Sequence, residues 1–542
     1  MEKRTVLLVS ILLLGMSLLI VKLLTLTTET QYVETASTHG TYTLTLAETR
    51  GKIYDRNGYV LAGGSAVCRA VVIPSAETTA ALFRSLDPET LASLEQTDDL
   101  HTQLKGSLPF VITVPDGRCQ SDGIRVYRVP VRYAPDDTIT HLIGTCGGGG
   151  GESGIEKAYD SWLRSASGRF RVTCRVNATG RSLNGAQQEV TDTTADSDRG
   201  VMLTIDHRIQ TIAQSAASAH LQAGAVIVAD VRTAEILAMV SLPTCRRNAV
   251  SDALNDPASP LINRALLPYN AGSVFKPVVA AAALENGCDP SAPCLCEGSM
   301  RIGQNVMGCI SHQAHGEVDM NQALSHSCNI YFIQKAQQTG GEPILRMAEA
   351  LGFGAPTRLG NHYEASAGTL PSAESLTRPA ALANFSFGQG ELTVTPVQVT
   401  AMMLAIAHDG LYREPTVVRG LTDGHGSMLS PSVPDETRQV MRPETAAVIR
   451  QGMRTAVEEG TAKAGAPDHT SAAAKTGTAE TGIFRNGKRL NQAWYAGFFP
   501  YESPRYVCVV LAEGGLSGGG TAGPVFREIA NRIGQILPDA AA

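Results

Sequence analysis

Ser273 and Lys276 stand three residues apart in Ala271-Gly272-Ser273-Val274-Phe275-Lys276-Pro277. A serine hydroxyl beside a lysine amine can work as nucleophile and base. The alanine-rich run after Pro277 favours a helix, and Gly287 is a natural stop. Proline has no N–H to give a helix interior, so Pro277 belongs in the first turn and the helix is predicted to start near Ser273. Ser273 and Lys276 then share one face at a helix N-terminus, where unpaired N–H groups gather a partial positive charge. Taken alone, the same pattern also describes an N-cap serine followed by a surface lysine.

Two further stretches carry comparable chemistry. In Leu324-Ser325-His326-Ser327-Cys328-Asn329, Ser327 and Asn329 lie two apart at a break between helical segments. The hydroxyl can pass a proton, and the amide can donate and accept. Helix capping is the plain structural alternative. Cys328 reads as a small buried hydrophobe and His326 as a surface or packing residue. In Ala474-Lys475-Thr476-Gly477-Thr478, a lysine and two hydroxyls on a strand can hold a carboxylate, and Gly477 lets a substrate backbone lie close. Here the alternative is an edge strand guarded by a lysine.

The elements that must position these residues can be read from periodicity. Ala225–Asp230 and Glu235–Val240 form one predicted hairpin, and Ala493–Phe499 and Arg505–Ala512 another. Ser471–Thr478 is a fifth strand. Helices are expected over His207–Gln222 and Pro524–Leu537. The pattern predicts one antiparallel sheet assembled from both ends of the region, with a helical insertion at 273–460.

Upstream, residues 28–49 read as an extended linker. Arg50 to Ala62 carries Asn57-Gly58 between alternating apolar positions, a tight hairpin that Arg50, Asp55 and Arg56 could brace with ion pairs. Residues 75–105 look helical, Phe110–Val114 is a strand, and Gly147–Gly151 a flexible loop. Ile155–Leu163 reads as an amphipathic helix, Phe170–Val176 as a strand, and Asn177-Ala178-Thr179 fits a glycosylation sequon. No catalytic constellation appears there, so the region reads as a pedestal.

Net charge is −6, which gives no reason to expect nucleic acid as a partner. Eleven cysteines and twelve histidines show no zinc spacing, so no metal or other cofactor is expected. The apolar run Thr5–Val21 would extend about 26 Å as a helix, and Leu23–Leu26 prolongs it past Lys22. An uncleaved membrane anchor is favoured over a signal peptide, with Lys3 and Arg4 holding the N-terminus in the cytoplasm. The expected layout is a cytoplasmic tail at 1–4, an anchor at 5–26, a pedestal at 27–200 and a catalytic domain at 201–542.

Together, S-x-x-K, S-x-N and K-T-G in that order resemble the motifs of the class B, monofunctional penicillin-binding proteins. The resemblance covers nearly the whole chain. It includes R-G-x-I-x-D-R-N-G-x-x-L-A at 50–62, Gly144, Gly154-Ile155-Glu156, Gly388-Gln389-Gly390-Glu391 with Thr395-Pro396, and Gly460-Thr461. Ala271 and Ala474 depart from the proline and glycine common at those positions. The resemblance implies an α/β fold of the α+β type: a penicillin-binding, serine β-lactamase-like transpeptidase domain with a five-stranded antiparallel sheet flanked by helices. A β-rich pedestal and one transmembrane helix would complete it, with no appended wall-binding or glycosyltransferase module.

By resemblance, Ser273 would be the acyl-enzyme nucleophile and Lys276 its base, Ser327 would relay a proton, and Asn329 would orient Lys276 and the substrate amide. Lys475, Thr476, Gly477 and Thr478 would bind the substrate carboxylate, and the N–H groups of Ser273 and Thr478 would form the oxyanion hole. The ligands implied are peptidoglycan stem peptides and β-lactams. The protein partners implied are a SEDS-type membrane glycosyltransferase and other cell-wall synthesis proteins. A Cys296–Cys309 disulfide is also implied, with Cys294 as a competing partner. The alternatives are a D,D-carboxypeptidase, a β-lactam-hydrolysing or sensing acylase, and an inactive cell-wall scaffold.

Overall fold

The structure, a computed structural model, describes residues 2–28, 40–133, 138–177, 179–183, 188–196, 199–245, 250–432, 437–485 and 488–536. Five strands build the central sheet: β1 (Gly224–Asp230), β2 (Ile236–Leu242), β3 (Ala473–Arg485), β4 (Lys488–Phe499) and β5 (Tyr506–Gly515). The sheet is antiparallel and drawn from both ends of the region, as the sequence predicts, and the strand order is β2-β1-β5-β4-β3. β1 and β2 are buried at every residue, which explains their unbroken apolar runs. One face packs on the helices His207–His220 and Gly523–Ile536 through Ile212, Val226, Val510 and Phe526. Against the other lies the helix Pro396–Ala407, buried along its whole length and contacting β1 and β5. β3 forms the sheet edge, so its outer side is open to the turn that carries Ser273.

The chain divides into two units, and the division is not linear. Residues 51–62 and 133–165 belong with 198–542, whereas 63–132 and 166–197 form the other unit with 1–50. The units therefore do not divide at a single point in the chain, for a pairing reason. Lys52–Tyr54 adds in parallel to Arg199–Leu203, and Val60–Ala62 pairs back onto it. In the first unit, Ser65–Val72 is the middle strand between Phe110–Val114 and Ile124–Val131. Three helices within 76–105 pack there, the first closed by a capping box at Ser75 and the second capped by Asp87.

Local differences have local causes. Thr41–Thr49, within the expected linker, is a strand paired with Gly168–Arg175. Cys146–Gly147 and Gly150–Gly151 close a small hairpin where a loop was expected, because Gly150 adopts a positive φ of 129°. The helix over 155–163 is two short helices, Gly154–Ala158 and Asp160–Arg164, interrupted at Tyr159. Residues 29–39 of the linker, Ala178 of the sequon and Leu537 lie outside the described residues. The N-terminal helix Glu2–Thr28 contains an apolar span from Lys3 to Thr25. At 1.5 Å per residue that span reaches about 35 Å, long enough to cross a bilayer core.

The 50–62 motif has its anchor in Asp55, which is fully buried. It accepts hydrogen bonds from the N–H groups of Asn57 and Tyr59, both at 2.8 Å, and from His207 through its N–H (3.3 Å) and Nδ1 (2.9 Å). Tyr59 stacks on the His207 ring. Arg56 turns away to pair with Glu235 at 3.0 Å, rather than with Asp55. Asp55→Ala would remove the acceptor of four part-buried hydrogen bonds, so equilibrium unfolding is expected to show a loss of about 1–3 kcal/mol. A loss below ~0.5 kcal/mol, the range of an ordinary surface substitution, would mean that the hairpin is held elsewhere.

Candidate active site

From Ala271 to Leu284 every residue is buried except Ser273, which is half-open. Gly272–Phe275 forms a 3₁₀ turn, and the α-helix begins only at Lys276. The predicted helix start near Ser273 is thus a tighter turn first, with Pro277 in the opening turn of the helix as expected. Phe275 fixes the turn from below by packing on the rings of Phe353 and Phe385, with centroids 5.7 and 5.0 Å away.

Lys276 points into the interior and is fully buried. Its Nζ donates to the Ser327 carbonyl and to Asn329 Oδ1, both at 2.6 Å, and lies 3.1 Å from Ser327 Oγ. Burial lowers its pKa to about 7, against a smaller opposing pull from the Cys328 and Cys309 sulfurs. Lys475 is also fully buried, and its Nζ donates to Ser327 Oγ at 2.8 Å. Burial, and then the charge of Lys276, hold its pKa well below the ordinary lysine value. The Ser327 hydroxyl therefore lies between two lysine amines.

The Ser327 turn owes its aim to unusual backbone. Ser327 sits at φ 58°, a left-handed conformation rare for a residue other than glycine. It separates the helices Met320–Ser325 and Asn329–Thr339, as the sequence predicts. Asn329 Nδ2 donates to the Gly308 carbonyl at 2.8 Å, which leaves the amide oxygen facing Lys276.

The edge strand β3 meets the Ser273 turn at van der Waals distance. A Cβ on Gly477 would lie 3.1 Å from both Ala271 O and Val274 N, and one on Gly272 would lie 3.0 Å from Thr478 O. Glycine is what lets the two backbones close. The Gly388 carbonyl accepts from the Gly272 N–H at 2.8 Å, and a Cβ on Gly388 would come within 1.9 Å of the Gly272 oxygen.

The structure thus brings Ser273, Lys276, Ser327, Asn329, Lys475, Thr476, Gly477 and Thr478 into one region where three chain segments meet. It also adds a residue known from the sequence only as part of a motif. Thr461 donates its N–H (3.1 Å) and its hydroxyl (3.2 Å) to the Ser325 carbonyl, and its oxygen accepts from Thr476 Oγ1 at 3.0 Å. It ties β3 to the Ser327 turn. Thr478 Oγ1 accepts from the Gly518 N–H at 3.3 Å.

The implied Cys296–Cys309 pair comes together, but with its sulfurs 3.7 Å apart and unbonded. Cys328 and His315 join them, and these four residues could hold a metal ion, a grouping that the sequence reading did not anticipate. Being spread over 296–328 in single positions, they lack the close-set pairs that mark a zinc site in a sequence.

Comparison with known proteins agrees with this architecture. The family described as penicillin binding protein transpeptidase domain matches residues 224–531, and the penicillin-binding protein dimerisation domain matches residues 45–197. The peptidoglycan D,D-transpeptidase PbpA of Mycolicibacterium smegmatis is 31% identical over 76% of this chain and 84% of its own length. Among solved structures, the D,D-transpeptidase domain of a peptidoglycan glycosyltransferase from Eggerthella lenta aligns with TM-score 0.65 at 25% identity, covering 90% of this chain and 99% of its own. A chain of a peptidoglycan synthase complex, described as coordinating polymerization and crosslinking, aligns with TM-score 0.69 at 25% identity, covering 97% of each chain.

Gly388→Ala forces either its own positive-φ turn or the Gly272 carbonyl to move. Equilibrium unfolding is expected to register a cost of about 2 kcal/mol or more. An unchanged midpoint would contradict the close approach of Gly388 to Gly272.

Proposed function

The chain belongs to the penicillin-binding protein transpeptidase family, and from that premise we propose that it is a membrane-anchored peptidoglycan D,D-transpeptidase in which Ser273 carries the acyl group. The observation that carries this reading is the buried amine of Lys276. A neutral lysine has two N–H bonds and one lone pair. The two N–H bonds are taken by the Ser327 carbonyl and Asn329 Oδ1. That leaves the lone pair to accept a proton, and burial favours that neutral form.

The reaction follows from these positions. Ser273 Oγ attacks the carbonyl carbon of the penultimate D-Ala of a stem peptide, and its proton passes to Lys276. The N–H groups of Ser273 and Thr478 receive the oxyanion. The peptide C–N bond then breaks, and the departing terminal D-Ala takes its proton through Ser327. An amine of a neighbouring stem attacks the acyl-Ser273 ester, giving the cross-link and restoring the hydroxyl. Lys475 and the hydroxyls of Thr476 and Thr478 hold the substrate carboxylate, with Gly477 allowing its backbone to approach. A β-lactam opens its ring amide onto Ser273 in the same way. Its leaving nitrogen stays tethered to the acyl group.

The N-terminal helix serves as a single-pass anchor, with Lys3 and Arg4 on the cytoplasmic side and the catalytic unit outside. A membrane glycosyltransferase of the SEDS type is the proposed partner. Similarity to a chain of a peptidoglycan synthase complex supports that pairing.

Labelling with a fluorescent penicillin is expected for the wild type and absent for Ser273→Ala. Equal labelling of the two would sink the mechanism. Lys276→Ala is expected to slow acylation by about 10²–10⁴-fold, the range of a lost general base. The pH profile of acylation gives a separate check. Lys276 must be deprotonated to act, so the rate should rise as pH increases through about 7 and level off above it. A rate that falls with rising pH in that range would exclude a neutral lysine as the base.

A further inference from the structure

The Ser327–Asn329 turn rests on a cluster for which the transpeptidase reaction has no use. Cys296 ends the short strand Cys294–Cys296, Cys309 follows the strand Asn305–Gly308, His315 precedes the strand Gly316–Val318, and Cys328 is the N-cap of the helix Asn329–Thr339. Cys309 Sγ lies 3.7 Å from Cys296 Sγ and 3.8 Å from Cys328 Sγ. Cys296 Sγ lies 3.4 Å from His315 Nδ1. All four ligand atoms fall within 4.8 Å of one another. The three cysteines are buried and His315 is half-buried.

These separations suit a shared ion better than a covalent bond. A tetrahedral zinc with sulfur at ~2.3 Å and nitrogen at ~2.0 Å has sulfur–sulfur edges of about 3.8 Å and sulfur–nitrogen edges of about 3.5 Å. A disulfide needs its sulfurs at ~2.05 Å. It would also use two thiols and leave the third thiol and the imidazole in the same buried space.

We propose that Cys296, Cys309, His315 and Cys328 form a closed Zn²⁺ site beneath the active-site turn. Thiolates and an imidazole suit zinc, whereas magnesium and calcium take oxygen ligands. Binding would release the thiol protons to solvent as the sulfur–zinc bonds form. The His315 ring is already oriented, stacked on His326 with centroids 5.8 Å apart and planes 10° apart, and its backbone N–H donates to the Cys296 carbonyl at 3.1 Å. A four-ligand site with no open position is structural rather than catalytic.

Its consequence is positional. Cys328 separates Ser327 from Asn329, and Cys309 follows Gly308, whose carbonyl fixes the Asn329 amide. An ion joining Cys309 to Cys328 holds both ends of that arrangement. This consequence rests on the roles proposed above for Ser327 and Asn329, whereas the metal site itself does not.

The full-length protein, purified in detergent without chelator, is expected to carry close to one zinc per chain by elemental analysis. Exchange with Co²⁺ should give sulfur-to-cobalt charge-transfer absorption and the ligand-field bands of tetrahedral cobalt. Cys296→Ser and His315→Ala should each lose most of the bound metal. Zinc-free wild type with a Cys296–Cys309 disulfide on non-reducing peptide mapping would overturn the site, as would cobalt spectra without thiolate bands. The wild-type measurements stand even where a variant fails to fold. Stripping the metal should slow acylation by a fluorescent penicillin, and added Zn²⁺ should restore it. Unchanged acylation in metal-free protein would overturn the positional consequence while leaving the metal measurements to decide the site.

Discussion

An amine buried completely and hydrogen-bonded to neutral oxygens is the constraint on which the site depends. Lys276 meets the Ser327 carbonyl, the Ser327 hydroxyl and Asn329 Oδ1. Desolvating an ammonium costs several kcal/mol, so such a group gives up its proton more readily than a lysine in water. Lys475, buried in the same space and bonded to the same hydroxyl, is held well below the ordinary lysine value by burial and then by the charge of Lys276. Ser327 Oγ lies within hydrogen-bond distance of both amines.

Such a site needs close backbone approach as much as it needs the right side chains. Ser273 is half-open between buried neighbours, and its turn is held by Phe275 below and Gly388 behind. Gly477 and Gly272 allow the edge strand to lie against that turn. Thr461 closes the third side by bonding both Ser325 and Thr476. Each contact joins segments far apart in the chain, so loosening one moves the others.

The sheet explains why the edge is available. β3 is an end strand of the order β2-β1-β5-β4-β3 and pairs within the sheet with β4 alone. The same logic places the 50–62 motif. It is far from the catalytic unit in sequence, yet it pairs with Arg199–Leu203 and donates through its own backbone and His207 to one buried carboxylate. Asp55 and Arg56 serve as a joint in the scaffold, through His207 and Glu235, rather than as chemistry.

Local sequence determined much of this protein. Alternating and continuous apolar runs marked the five strands, and Pro277 and the alanine run marked the Ser273 helix, because period and backbone restriction act over a few residues. The S-x-x-K, S-x-N and K-T-G motifs marked the candidate residues that the fold brings into one region, and a role for each came only through family resemblance. Tertiary structure alone decided the rest. The 3₁₀ turn at Ser273, the left-handed Ser327 and the interrupted helix at Tyr159 reflect long-range packing that overrides local preference. Thr41–Thr49 becomes a strand only because Gly168–Arg175 is there to pair with it. The burial that depresses Lys276, the clamp made by Thr461 and the gathering of Cys296, Cys309, His315 and Cys328 depend on residues distant in the chain. Hydrogen bonds and desolvation depend on distance in space, which spacing along a chain does not specify.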